Sequence, residues 1–193
     1  MSIIIRDAVE EDLPGILSIY AYYVENTCYS FEYTVPTEDE FLQRFATITQ
    51  YYPWLVLLDC DRIVGYAYAS RAFQRAAYQW DADITVYLDH TCHRKGYASL
   101  LYEKMLTILD AQGYYSIYAG ITDINHPSLS FHLSKGFSEV GHFRQTGFKK
   151  GSWLGVIWME KKLRLCSGQP EPTLSYRSIA EETRQKILRV DVR

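Results

Sequence analysis

The sequence predicts an α/β (α+β) fold: a mixed central sheet of about six or seven strands with helices on both faces. Three observations carry that expectation. Short β-rich runs alternate with segments of helical period along most of the chain. Ala98, Leu101, Tyr102, Met105, Ile108 and Leu109 form the strongest helical stripe, and that stripe follows a strand-like run across a glycine turn. Nearly half of the 193 residues are apolar (48%), enough for one domain with its own core.

Taken in order, Ser2–Arg6 is a short β-rich run, and Glu10–Glu25 spaces Leu13, Ile16, Leu17, Tyr20 and Val24 as a helix does. Thr37-Glu38-Asp39-Glu40 is a capping box ahead of a helix with Phe41, Phe45 and Ile48 on one face. Trp54–Leu58 and Ile63–Ser70 are strands around the tight turn Asp59-Cys60-Asp61. Asp81–Leu88 is a further strand. A helix over Lys95–Asp110 ends at Gln112-Gly113, where glycine supplies the left-handed closing residue. Tyr114–Ile121 reads as a strand and Pro127–Ser134 as a short helix closed by Gly136. Phe137–Phe148 and Trp153–Lys161 form a strand pair joined by Lys149-Lys150-Gly151-Ser152. After Leu165 the composition changes: Ser167-Gly168-Gln169-Pro170-Glu171-Pro172 is a linker and Ser178–Val190 a polar helix. We therefore expect a main domain over 1–163 and a tail over 164–193 that packs on the body or on a second subunit.

A net charge of −3 argues against a general nucleic-acid binder. Cys28, Cys60, Cys92 and Cys166 form no CxxC pair, and no His/Cys cluster has metal-ligand spacing. The chain opens without a signal-peptide layout and has no run long enough to span a membrane, so it reads as a cytoplasmic protein with free thiols. Seventeen tyrosines suit pockets and interfaces, because each joins apolar area to one hydroxyl.

The segment most suggestive of function is Leu88 followed by His93-Arg94-Lys95-Gly96-Tyr97-Ala98. A helix that opens on a basic, small-residue turn presents unpaired N–H groups and a positive dipole end, a ready pyrophosphate site.

With the element order, that turn resembles the acetyl-CoA loop of the GCN5-related N-acetyltransferase (GNAT) superfamily, Gln/Arg-x-x-Gly-x-Gly/Ala. Gly96 and Ala98 match it, and His93 departs from it. Asn125 matches the Asn that begins the helix after the fifth strand, His132 stands where relatives often carry Tyr, and Gly136-Phe137 matches the family's Gly-Phe/Tyr. A closer resemblance, over about residues 3–163, is to the phosphinothricin-type amino-acid N-acetyltransferases. It is carried by Tyr52-Pro53-Trp54-Leu55-Val56, Gly65-Tyr66-Ala67-Tyr68-Ala69, Arg75 with Ala77-Tyr78-Gln79-Trp80, Thr85-Val86-Tyr87, Asn125-His126-Pro127-Ser128 and Gly147-Phe148-Lys149-Lys150-Gly151-Ser152-Trp153.

The resemblance implies the GNAT fold, acetyl-CoA as cofactor, and transfer to the α-amino group of a small amino-acid-like amine. It implies a cofactor site made of Val86, Tyr87, Leu88, His93, Arg94, Lys95, Gly96, Tyr97, Ala98, Ser99, Asn125 and Ser128. Asp83 aligns with the glutamate assigned as general base, with Asp81 its competitor on the same strand face. His132 would protonate the departing thiolate through an N–H aimed at sulfur. Phe31, Arg75, Tyr78, Thr85, Lys149 and Trp153 would form the acceptor side, Arg75 offering its planar fork to a carboxylate or phosphinate. Relatives are homodimers, and Tyr51, Tyr52, Trp153 and Trp158 are compatible with a buried two-fold surface or with a monomer core. Neither a membrane nor a nucleic-acid partner is expected. Two alternatives stay open: another amine (polyamine, aminoglycoside or protein N-terminus), for which Glu25, Glu32, Glu38, Asp39 and Glu40 could form an acidic groove, and a non-catalytic acyl-CoA-binding module.

Overall fold

The computed structural model describes residues 3–190; Ser2 of the first expected strand and residues 191–193 of the tail lie outside them. The elements run β1 (Ile3–Asp7), α1 (Leu13–Asn26), α2 (Glu38–Ile48), β2 (Trp54–Asp59), β3 (Arg62–Arg71), β4 (Asp81–Leu88), α3 (Tyr97–Gln112), β5 (Ser116–Thr122), α4 (His126–Ser134), β6 (Ser138–Lys149), β7 (Ser152–Lys162) and α5 (Glu181–Leu188). The seven strands form one sheet in the order β1-β2-β3-β4-β5-β7-β6. Among the described residues only β4 and β5 pair in parallel; the other neighbours are antiparallel.

Local chemistry accounts for the boundaries. The capping box forms as read: Thr37 Oγ1 accepts from the Glu40 N–H at 3.2 Å, and Glu40 Oε2 accepts from the Thr37 N–H at 2.8 Å. Cys60 and Asp61 both take positive φ, 50° and 64°, the geometry of a two-residue hairpin turn matched to strand twist. Lys150 and Gly151 repeat it at the β6–β7 turn. Helix α3 begins at Tyr97 rather than Lys95 because Gly96 sits at φ +83°. It closes with Gly113 N–H on the Asp110 carbonyl and Tyr114 N–H on that of Leu109, a Schellman pattern. That pattern consumes the Tyr114 N–H, and β5 starts at Ser116 instead of Tyr114.

Two apolar clusters sandwich the sheet. On one face α1 and α2 bury Ile16, Tyr20, Val24, Phe41 and Phe45 against Trp54, Val56 and Tyr66. On the other, α3 buries Leu101, Tyr102, Met105, Ile108 and Leu109 against Ile117, Ala119 and Phe137. The tail joins this second cluster: Tyr176, Ile179 and Leu188 are buried in it. Tyr176 Oη donates to Asp7 at 2.5 Å, and the Trp80 indole N–H donates to the Glu171 carbonyl at 2.7 Å. The expected polar helix is thus a short helix, α5, whose few apolar residues face the body. No helix among the described residues is long and apolar enough to cross a membrane.

Candidate active site

The sheet is opened at one place. Strands β4 and β5 pair over Asp81↔Ser116, Ala82↔Ile117 and Asp83↔Tyr118, and then part. Each keeps its outer neighbour, β3 or β7, so the two facing edges carry unspent backbone donors and acceptors. The gap is a cleft of about 520 Å³. Thr85, Val86, Tyr87 and Leu88 form one wall, Gly120, Ile121 and Thr122 the other, and His93, Arg94, Ala98, Asn125, Ser128 and His132 its upper end.

At the end of β4, Asp89 accepts from the Thr91 N–H at 2.8 Å and fixes a short 3-10 turn. Arg94 at φ +62° and Gly96 at φ +83° then reverse the chain into α3, whose first turn has no side-chain cap. Its leading N–H groups and the dipole end therefore face outward. Lys95, Gly96, Tyr97 and Ser99 build this turn without lining the cleft. The Tyr97 phenol points away, donating to Asp59 at 2.6 Å. Asn125 caps α4, its side chain accepting from the Ser128 N–H at 3.2 Å. An elongated polar edge leading to an uncapped helix start fits an amide-bearing arm that ends in a pyrophosphate.

Asp83 is the last paired rung before the strands part. The residue as a whole is half-buried. Loss of hydration at its carboxyl, with no neighbouring cation to offset it, pushes its pKa up to about 7. Asp81 lies two residues back, beside Ser116 and Lys162 in a separate cavity of about 430 Å³. The geometry so separates two carboxylates that the strand period alone left equivalent.

His132 lines the cleft and is 3% exposed. Its Nδ1 lies 2.8 Å from the Ser128 carbonyl, which can only accept, so Nδ1 carries the proton. Its Nε2 lies 2.5 Å from Tyr102 Oη and therefore accepts from that phenol. This corrects the expectation of an N–H aimed into the cleft: both ring nitrogens are engaged, one by the Ser128 carbonyl and one by the Tyr102 phenol. Burial holds the imidazole below its ordinary range and the phenol well above its own, with the charge of Asp83 adding to the phenol's shift. Sequence reasoning placed Tyr102 only in the apolar stripe of α3; a lone phenol among Leu101, Met105 and Ile108 was the available signal. Tyr23 and Tyr29, which also line the cleft, carried no such signal.

The acceptor-side residues divide. Phe31 packs against Gly147 so closely that a Cβ there would lie 2.3 Å from its ring. Thr85 shares the Asp83 face of β4 by strand alternation and stands opposite Tyr68 on β3. Arg75 and Tyr78 sit exposed on the β3–β4 loop, which Phe73 anchors by packing on Tyr78, Tyr118 and Trp158. Lys149 is a correction. It is 4% exposed, and its ammonium donates to the carbonyls of Val24 at 2.8 Å and Ser30 at 2.7 Å. These bonds satisfy the end of α1 and the loop behind Phe31, so the amine is spent on structure. Trp153 is 62% exposed and packs, tilted, against Phe148. Among the aromatics considered for a partner surface, Tyr51, Tyr52 and Trp158 are packed within the chain. The acidic residues do not converge on the cleft: Glu40 is in the capping box, Glu32 pairs with Arg44, and Glu38 and Asp39 border a surface hollow with Glu10.

Comparison with known proteins agrees with this geometry. The family model described as an acetyltransferase (GNAT) domain matches residues 5–158. A phosphinothricin N-acetyltransferase of Streptomyces viridochromogenes is 31% identical over 177 residues, covering 92% of this chain and 94% of that protein. An L-methionine sulfoximine/L-methionine sulfone acetyltransferase of Pseudomonas paraeruginosa is 32% identical over 166 residues, covering 84% and 96%. The crystal structure of a GNAT superfamily phosphinothricin acetyltransferase from Sinorhizobium meliloti in complex with AcCoA superposes with a TM-score of 0.83 at 34% identity, covering 92% of this chain and all of that one.

Proposed function

The chain belongs to the GNAT acetyltransferase family, and on that premise we propose that it is an acetyl-CoA-dependent N-acetyltransferase for the α-amino group of a small amino-acid-like acceptor. The acceptor class is that of its relatives: phosphinothricin, methionine sulfone or methionine sulfoximine. The observation that carries the reading is Asp83, a desolvated carboxyl without a cation, at the point where the sheet opens.

Acetyl-CoA supplies the activated thioester. The parted edge of β4 over Val86, Tyr87 and Leu88 would hold its amide arm, with Asn125 and Ser128 opposite. His93, Arg94, Lys95, Gly96, Tyr97, Ala98 and Ser99 would form the phosphate cradle. The α-ammonium of a free amino acid titrates above the roughly 8 of a chain terminus and is protonated at neutrality, so a base ionised near neutrality is needed to take its proton. Asp83 fills that role, and the deprotonated amine attacks the acetyl carbonyl directly. His132 borders the sulfur side, its ring held in place by Ser128 and Tyr102, and the departing thiolate takes the second proton given up by the attacking nitrogen. Phe31 and Thr85 border the acceptor, and Arg75, with Tyr78, approaches its acidic tail from the β3–β4 loop. Trp153 stays assigned to the rim of the acceptor site, and Lys149 acts there only by holding the Phe31 loop in place.

The same proposal makes the enzyme a cytoplasmic homodimer, with residues 1–163 as the catalytic domain and 164–193 as a tail, which Tyr176, Ile179 and Leu188 anchor to it. Phe143, Phe148 and Trp153, exposed together on β6 and β7, favour a partner there. Light scattering returning the mass of one chain at micromolar concentration would remove the dimer.

The test is an acceptor panel: phosphinothricin, methionine sulfone, methionine sulfoximine, spermidine and kanamycin, each with acetyl-CoA and a thiol reagent reading CoA release. Turnover confined to the first three supports the proposal. Turnover with spermidine or kanamycin alone overturns the acceptor class, and acetyl-CoA binding without turnover overturns the enzyme.

A further inference from the structure

His93 occupies the position where the cradle pattern has glutamine or arginine, and its surroundings fix its proton. Tyr23 Oη lies 2.6 Å from the Leu88 carbonyl and 2.9 Å from His93 Nε2. A carbonyl only accepts, so the single phenolic proton points at Leu88. The Tyr23 oxygen then accepts from His93, and Nε2 carries the imidazole proton. In neutral His93 this leaves Nδ1 bare as the one ring nitrogen for a ligand in the cleft that His93 lines. A lone pair facing a phosphate oxygen is repulsive, whereas an imidazolium would donate from Nδ1 while keeping its bond to Tyr23.

We propose that Tyr23 is a positioning residue for the phosphate cradle: by holding His93 in the Nε2–H form it makes His93 take up a proton at Nδ1 when the cofactor's pyrophosphate binds. The inference rests on the acetyl-CoA reading and adds a proton-linked contact to it. Charges around the ring set the balance. Asp89, on the 3-10 turn, favours the imidazolium; His90 on the same turn and Arg94 disfavour it. Lys95, next in the turn, adds a further positive charge. Tyr23, from α1, and Tyr29, from the loop after it, face the site as phenols. The free protein thus keeps His93 neutral, burial being the leading cause. A diphosphate reverses that preference by placing negative charge against Nδ1.

The test is calorimetric titration of the full chain with 3′-dephospho-CoA, which lacks the phosphomonoester that itself titrates near pH 6. Buffers of different ionisation heat count the protons taken up. For the wild type we expect uptake approaching one proton near pH 7.5, and affinity roughly thirty-fold or more weaker at about pH 8 than at about pH 6. His93→Gln, whose amide donates at any pH, should bind with no uptake and a flat profile. Tyr23→Phe frees Nε2, lets the neutral ring place its proton on Nδ1, and should shrink the uptake while binding persists at about pH 8. Wild-type uptake near zero, or full uptake retained in His93→Gln, overturns the proposal; full uptake retained in Tyr23→Phe overturns the role of Tyr23. No binding of 3′-dephospho-CoA at any pH would instead sink the cofactor assignment itself, and so separates the two failures.

Discussion

Replacing Asp83 with Asn should make the protein more stable above neutrality and, at once, a much slower enzyme. Burial raises the carboxyl from 3.8 to about 7, so the folded state binds this proton more tightly than the unfolded chain does. The sign follows from linkage. Below the unfolded pKa both states are protonated and the site costs nothing. Between about pH 4 and pH 7 the unfolded chain releases the proton while the folded one keeps it, and stability falls as pH rises. Above the folded pKa the whole cost of a buried carboxylate is present. Three units correspond to about 4 kcal/mol at most, and discounting for a half-buried residue leaves about 2 kcal/mol. Asparagine keeps the shape and carries no charge. The stability gained in Asp83→Asn should therefore be about 2 kcal/mol larger at pH 8 than at pH 4, about 4–8 °C in Tm for a chain of this size. Thermal unfolding of both proteins at the two pH values reads it, and other groups cancel in the difference. An equal difference at both pH values would refute the claim that this carboxyl is desolvated. In the same samples kcat/KM should fall by a factor on the order of 10².

Three further outcomes follow from the packing. Gly147→Ala places a Cβ 2.3 Å from the Phe31 ring, so the ring must move; we expect a loss of about 1–3 kcal/mol in urea unfolding and a raised KM for the acceptor over that for acetyl-CoA. Lys149→Met leaves the carbonyls of Val24 and Ser30 without their donor and should cost about 1–3 kcal/mol, seen as a lower Tm at any substrate concentration; an unchanged Tm with only a raised KM would return Lys149 to the acceptor site. Gly96→Ala strains a residue at φ +83° where space is otherwise open, so it should destabilise by about 1 kcal/mol and weaken CoA binding in calorimetry.

What the sequence makes legible here is what local rules govern. The Thr37–Glu40 box, the Gly113 closure and the two-residue turns each act within a few residues, and all appear where the pattern puts them. What stays hidden depends on contacts across the chain. Lys149 reads as part of the β6–β7 turn and, through the resemblance, of the acceptor side, until folding lays that hairpin over the end of α1, more than a hundred residues earlier. Tyr51, Tyr52 and Trp158 fit a partner surface and a monomer core equally until the tail and the β3–β4 loop pack against them. The Tyr102–His132 contact joins two helices. One of its halves was nevertheless local: a histidine four residues after Ser128 on a helix can reach the carbonyl of that residue, which fixes its tautomer.

The most direct test of the central claim is the pH dependence of kcat/KM for methionine sulfone with saturating acetyl-CoA, in the wild type and in Asp83→Asn. With Asp83 as the base, the wild-type profile rises with unit slope and levels off above a pKa of about 7, and the variant loses that limb together with most of its rate. A wild-type profile flat from pH 6 to 9, or a variant that keeps both the limb and the rate, contradicts the account.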